Sequence, residues 1–485
     1  MDAADISAGL ELRLPAGGRP RQLPVRTLLV GMLAAQADDR PAHLVRVHRA
    51  LLSLSGADQR HLGVVVDWRG GPHTLTYRQV ERTFGLIVAA LKADTPDGCP
   101  SEALGRVVDA LTEASIPAHH KQASSSLAID WTDHESWALS PRTGQVGADP
   151  DASWGHRASH AIGVKDELFY GYYPQAATMV AEDGGPPVPE LARRLLVTSC
   201  RIDPPRAFVA VLGRMVAAGI AIGDVLADSG YAHRVAQHWA LPLRRLGAHL
   251  VTDLHPHDRG PKGTHGGAII ANGNLFCPCT PAALLALGPL ARGARSQETS
   301  THDVQTAEAA RYKLGRISAD DPDGYHRVGC PAAAGKIRCP LRPESMTLDL
   351  DRPEIITPPE HPPRCCTQRT LTVPPDVNAK TAQKHDYPSA AHRRSYARRT
   401  GAERTFSTVK DPATTNTTRG WCRLMGLTAI TLFLTCAIVV RNGRVLDAFD
   451  ARQADHARRL AAGQPPRTRR RHRRSIDDLI ATAPP

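Results

Sequence analysis

The chain has 485 residues, with 60 Lys and Arg against 48 Asp and Glu, a formal net charge of +12. At 42% hydrophobic and 22% charged it can bury a sizeable core, so it is not disordered throughout, and its length allows about two to four domains. Ten cysteines over this length exclude a small disulfide-knit secreted scaffold. No basic segment followed by an apolar core opens the sequence, so no signal peptide is expected and a reducing, cytoplasmic compartment is the default.

The charge is unevenly placed. Residues 391–485 hold 19 basic and 7 acidic residues, and the first 390 hold 41 of each sign, so the whole excess lies in the last fifth. A local basic field attracts polyanions, nucleic acid above all.

Residues 1–23, rich in Gly and Pro, are expected as a flexible N-terminus. Residues 24–118 carry apolar residues at helical spacing in VRTLLVGMLAAQ, HLVRVHRALLSL and TYRQVERTFGLIVAALK. An Arg-faced bundle of short helices suits a DNA-binding region and a plain folding unit equally well. Over 124–255 the texture changes. SLAIDWT reads as a strand ending near Asp130. HAIGVKDELFYGYYPQAATMV reads as a hairpin turning at Lys165-Asp166-Glu167. PRAFVAVLGRMVAAG is helical, IGDVLADSGY is a strand running into a turn, HRVAQHWALPLRRLG is helical and AHLVTDL is a strand. Strands followed by alternating helix and strand predict an α/β fold, a mixed sheet flanked by helices.

Residues 256–390 are rich in Cys and Pro, weakly periodic, and read as an insertion into the sheet domain. Residues 391–450 are helical again. Within them Met425 to Val440 is uncharged, but its 16 residues fall short of the roughly 20 that cross a bilayer, so a buried core helix is the better reading. Residues 451–485 form a basic tail, densest at RTRRRHRRS, a non-specific DNA contact or a solvated end.

Two strand ends carry an aspartate, Asp130 and Asp228, at the sheet edge where α/β domains place their sites. Either alone is more often a turn or capping residue. Asp224, four residues before Asp228 on the same strand face, competes with it. The stronger signal lies in SYARRTGAERTFSTVK. In one continuous helix, Tyr396, Arg399, Glu403 and Lys410 fall within an arc of about 60° at 100° per residue. Salt bridges on a solvated face are ordinarily the better explanation of such a stripe; the tyrosine and the apolar helix that follows make an active face competitive with it.

The spacing Tyr-x2-Arg-x3-Glu-x6-Lys resembles the signature of insertion-sequence DDE transposases of the Tyr-Arg-Glu-Lys group. Asp130 before Trp131-Thr132 and Asp228 in ADSGY resemble that family's two catalytic aspartates, and Glu403 its glutamate. The resemblance covers roughly residues 126–255 and 393–442. It implies an RNase H-like sheet with an N-terminal helical domain and a large insertion before the last catalytic helix. Asp130, Asp228 and Glu403 would be catalytic and would bind Mg²⁺ or Mn²⁺, two ions by the chemistry of in-line phosphodiester attack. Tyr396, Arg399 and Lys410 would hold DNA phosphates. The partners implied are double-stranded DNA, transposon ends and target alike, and a homodimer or higher assembly, with no membrane. The setting implied is a bacterial cytoplasm, on the nucleoid when DNA is bound. The alternative is a catalytically inactive or domesticated DNA-binding protein, and a membrane-associated protein using residues 425–440 ranks third.

Six cysteines fall in the insertion, as Cys277-Pro-Cys279, Cys330, Cys339 and Cys365-Cys366. None of their spacings is that of a common zinc knuckle, so structural zinc ranks below free thiols.

Overall fold

The computed structural model describes residues 3–14, 23–39, 41–68, 71–92, 98–142, 145–157, 167–291 and 293–467. It begins with α1 (Ala3–Glu11), α2 (Val25–Ala37), α3 (Leu44–Leu52) and α4 (Gly56–His61). A hairpin follows, β1 (Val65–Trp68) with β2 (Gly71–Thr74), then α5 (Tyr77–Lys92) and α6 (Glu102–Ala114). Residues 1–23, expected as flexible, contain α1, whose Ile6 and Leu10 are buried in the core. The hairpin inside the helical region was not anticipated either.

The central sheet is built from β3 (Leu127–Trp131), β4 (His134–Glu135), β5 (Ser153–Arg157), β6 (Glu167–Met179), β7 (Ala192–Ser199), β8 (Asp224–Ala227) and β9 (His249–Thr252). Helix α7 (Pro204–Ala217) precedes β8, and α8 (Ser229–Ala232) and α9 (Ala240–Arg245) separate β8 from β9. The 13-residue β6 is the organiser. One edge pairs antiparallel with β3 and β4, the other with β5 and β7. On its far side β3 pairs parallel with β8, and β8 parallel with β9. The result is a mixed α/β sheet with helices on its faces. The strand that pairs with the start of β6 is Ser153–Arg157, earlier than expected. The expected turn at Lys165-Asp166 lies outside the described residues.

The insertion is more β-rich than its composition suggests. It holds β10 (Pro261–His265), β11 (Ala268–Ala271) and β12 (Asn274–Phe276) as one small antiparallel sheet. After α10 (Ala282–Leu285) and α11 (Ser296–Tyr312), β13 (Gly315–Arg316) and β14 (His326–Gly329) form a second with β15 (Leu371–Val373), reached through α12 (Arg364–Thr367).

The chain returns to the central sheet through α13 (Ala390–Tyr396), a 3₁₀ turn over Ala397–Arg399, α14 (Thr400–Lys410) and the 35-residue α15 (Leu427–Ala461). By length and composition α15 is apolar enough to cross a membrane, but 67% of its apolar window is buried inside the protein. Ile430, Phe433, Leu434 and Ile438 share one core with Leu28, Val47, Phe84 and Leu104 of the N-terminal helices and with Leu195 and Val197 of β7. Each such side chain gains roughly 1.5–3 kcal/mol on burial. The N-terminal helices therefore do not stand apart as an independent unit: they clasp α15 against the sheet. The division expected at residues 450 and 451 falls within α15, so residues 451–461 are helix, not tail; residues 468–485 lie outside the described residues.

Candidate active site

The site starts from two short apolar strands. Leu127, Ala128 and Ile129 of β3 and Val225, Leu226 and Ala227 of β8 are all buried, as expected of parallel strands covered on both faces. Leu127 is level with Val225 and Ala128 with Leu226. Continuing that register sets Asp130 level with Asp228 at the carboxyl ends of neighbouring strands. Asp228 also caps α8, its Oδ1 accepting from the N–H of Gly230 at 2.9 Å and of Tyr231 at 3.3 Å. Tyr231 is buried between Trp131 and Trp239, with ring centroids 4.5 Å and 4.8 Å away, and feels the charges of both aspartates. Gly230 is required there, because a Cβ would come within 2.6 Å of the Trp131 ring.

The third acid arrives on α14. Gly401 brings this helix against the sheet so closely that a Cβ would lie 2.6 Å from Val180. Thr405 Oγ1 and Thr178 Oγ1 of β6, 2.9 Å apart, pin the same face. Glu403 then pairs with Arg399, whose Nη1 lies 3.9 Å from Asp130 Oδ2. One guanidinium thus stands between the strand aspartate and the helix glutamate.

The electrostatics follow the geometry. Burial, reinforced by the Asp228 and Glu403 charges, raises the Asp130 carboxyl to about 7 against the pull of Arg399 and the Trp131 N–H. Burial works against the Arg399 charge, but Tyr396, Glu403, Asp130 and Asp228 together raise its pKa. Acids from three separate elements thus face one cation.

The expected stripe needs correction. The helix is not continuous from Tyr396 to Lys410, because the 3₁₀ turn at Ala397–Arg399 re-phases it. Tyr396 packs inward against the cluster of Ala128, Val180, Leu226 and Ala402, with Arg399 5.5 Å over its ring. Lys410 is engaged by the segment after Asp130, its Nζ donating to Thr132 Oγ1 at 2.6 Å and Asp133 Oδ1 at 3.0 Å. Tyr396, Arg399 and Glu403 converge near Asp130; Lys410 braces the segment that follows it.

Asp224 is resolved as structural. It is 2% exposed and its Oδ2 accepts from Lys384 Nζ at 2.8 Å and Arg398 Nη2 at 2.7 Å. Arg398, not singled out from the sequence, also donates to the Ala181 carbonyl at 2.9 Å and so ties the 3₁₀ turn to the sheet. Asp133 and Glu135 are both held by Arg157, at 2.6 Å and 2.8 Å.

The donor set suits a hard divalent cation. Three carboxylates with a desolvated, charge-crowded Asp130 supply the oxygen ligands that Mg²⁺ and Mn²⁺ prefer. Their oxygens are not drawn into one tight shell. Among the described residues, only His233, His255 and Asp258 place three ligand atoms within 4.8 Å of one another. That group lies beyond α8, and Asp258 is already engaged by Lys380 at 2.7 Å and His233 at 3.2 Å.

No family model matches the sequence, and a search of curated proteins gives no match. Among solved structures, a Drosophila P element transposase strand transfer complex aligns with a TM-score of 0.26 and 11% identity, over 92% of this chain and 100% of that chain. That likeness is too slight to decide a fold.

Proposed function

We propose that this chain is an RNase H-like DDE transposase that cleaves DNA at the ends of its own element and joins them to target DNA. The observation that carries the reading is the convergence of Asp130, Asp228 and Glu403 from two adjacent parallel strands and one helix onto Arg399. A first strand flanked antiparallel by β6 and parallel by β8, with acids at its carboxyl edge, supports the RNase H-like assignment.

Asp130, Asp228 and Glu403 would hold the divalent ions. Those ions would supply Lewis-acid activation of water or a 3′-hydroxyl and charge stabilisation at the phosphodiester. Asp228 is oriented for this by its two backbone caps, which occupy Oδ1. The tilted Trp131, Tyr231 and Trp239 rings pack apolar surface beside the acids. Arg399, 15% exposed, is placed to exchange its contact with Glu403 for a DNA phosphate, to which its planar fork can bind in two places. Lys410 acts indirectly, by fixing Thr132 and Asp133 behind Asp130.

The test uses duplex DNA from the flanks of the coding sequence, incubated with the purified chain and Mg²⁺. Nicking at defined ends and strand transfer into a plasmid are expected, both abolished by Asp130→Ala, Asp228→Ala or Glu403→Ala while DNA binding persists. End-specific binding without cleavage in the unaltered chain would favour the non-catalytic DNA-binding reading instead.

A further inference from the structure

The sequence spreads six cysteines over 90 residues of the insertion, and the structure gathers them. Cys277, Cys330 and Cys339 are buried in one apolar cluster, with Cys279 packed against it. Cys365 and Cys366 are buried in the adjoining cluster, and Leu341 touches both. Their positions in the fold are not arbitrary. Cys277 directly follows β12 and Cys330 directly follows β14, so the thiols lie at the ends of strands from both small sheets. Cys366 lies on α12, which leads into β15.

Three of these residues, Cys277, Cys330 and Cys339, are each followed by proline. At Cys277 and Cys339 the backbone N–H two residues on, that of Cys279 and of Leu341, donates to the sulfur. Burial raises both thiols, and these N–H···S bonds oppose that rise. Cys365 and Cys366 sulfurs are 3.9 Å apart, either able to donate to the other, and Cys366 has Arg342 nearby. Cys279 sits at the rim, its sulfur 4.0 Å from the Thr357 carbonyl.

We propose that Cys277, Cys330, Cys339 and Cys366 ligate a metal centre that staples the two small sheets of the insertion together. Soft thiolates select zinc or an iron–sulfur cluster over the hard ions suited to the carboxylate site. Binding replaces the thiol protons, which leave to solvent, so the stability of the insertion is coupled to metal. The two occupants differ in size. A tetrahedral zinc with Zn–S of about 2.3 Å has sulfur–sulfur edges of about 3.8 Å. Among the described residues no three sulfurs lie within 4.8 Å of one another, so a lone zinc would draw the ring inward, while an iron–sulfur cluster is held by the same four-cysteine set in a wider one.

The experiment is elemental and acid-labile sulfide analysis of the full chain, purified anaerobically without added metal, with X-ray absorption at the edge of whichever metal is found. One centre per chain with sulfur ligands is expected: zinc without sulfide, or iron with sulfide. Cys330→Ser and Cys339→Ser should lose it. Cys436→Ser, in α15, and His255→Ala, in the histidine group beyond α8, should keep it. Because a ligand variant can fail for lack of folding, the absorption spectrum of the unaltered chain is decisive by itself. Six freely titrating thiols with no bound metal would overturn the proposal. So would a metal with only nitrogen and oxygen neighbours, or one lost with His255→Ala and retained in Cys330→Ser.

Discussion

Arg399 Nη1 stands 3.9 Å from Asp130 Oδ2 while the same guanidinium pairs with Glu403. The arrangement puts a single positive charge where a strand acid and a helix acid approach, and it makes the Asp130 carboxylate sensitive to any further cation.

The first prediction follows from Asp130 itself. Its folded pKa is raised to about 7 from 3.8, so in chelator its contribution to stability is complete below 3.8 and is lost as pH rises through about 7. The upper bound on that loss is about 4 kcal/mol. Asp130→Asn should flatten the pH dependence in urea unfolding and be more stable than the parent at pH 8. Adding Mg²⁺ at pH 8 should stabilise the parent and leave Asp130→Asn unchanged.

Asp224 and Asp228, four residues apart, should part company. Asp224 is buried against Lys384 and Arg398, and removing one partner of such a group costs about 3–5 kcal/mol. Asp224→Asn should therefore lower the unfolding midpoint markedly. Asp228→Asn keeps a good helix cap, so its stability should change by less than about 1 kcal/mol while cleavage is lost. Equal destabilisation by both would refute this division of roles.

Gly401 tests whether helix position matters to the chemistry. A methyl group there meets Val180 Cγ1 at 2.6 Å. Gly401→Ala should cost about 1–3 kcal/mol through overpacking and, by lifting Glu403 from the strand acids, should reduce cleavage more than DNA binding. Cleavage at the parental rate would show that the close approach serves packing alone.

His392 gives a second pH signature. Burial lowers its pKa to about 4, against the hydrogen bond to the Thr252 carbonyl and the charge of Asp253, and its ring stacks on Tyr396. A depressed histidine contributes stability that is full above 6.5 and lost as pH falls toward about 4, at most about 3 kcal/mol. His392→Gln should reduce the slope of stability over that window, with buried His134, also lowered to about 4, contributing part of what remains.

The parts of this molecule legible in the sequence are those set by local pattern. The apolar runs before Asp130 and Asp228 read as strands, and the run after Met425 read as a buried helix. What was hidden depends on distant partners. Strand β7 opens with Arg193 and Arg194, charges that look unfit for a buried strand until Glu113 and Asp109 of α6 meet them. The 3₁₀ turn that re-phases Tyr396 against Lys410 has no proline or glycine within it to announce it; Arg398 imposes it by reaching Asp224. The small sheets of the insertion pair β10–β12 and β13–β15 through short, weakly patterned strands, so their register comes from contacts no local window contains. Gly401, two residues before Glu403, was open to notice as a mark of close helix–sheet approach.

The central claim is that Asp130, Asp228 and Glu403 act together on divalent ions, and Mn²⁺ binding followed by electron paramagnetic resonance tests it most directly. The account predicts about two bound ions per chain, with affinity falling sharply in each of Asp130→Asn, Asp228→Asn and Glu403→Gln while circular dichroism stays unchanged. Mn²⁺ binding that is indifferent to all three substitutions would contradict it.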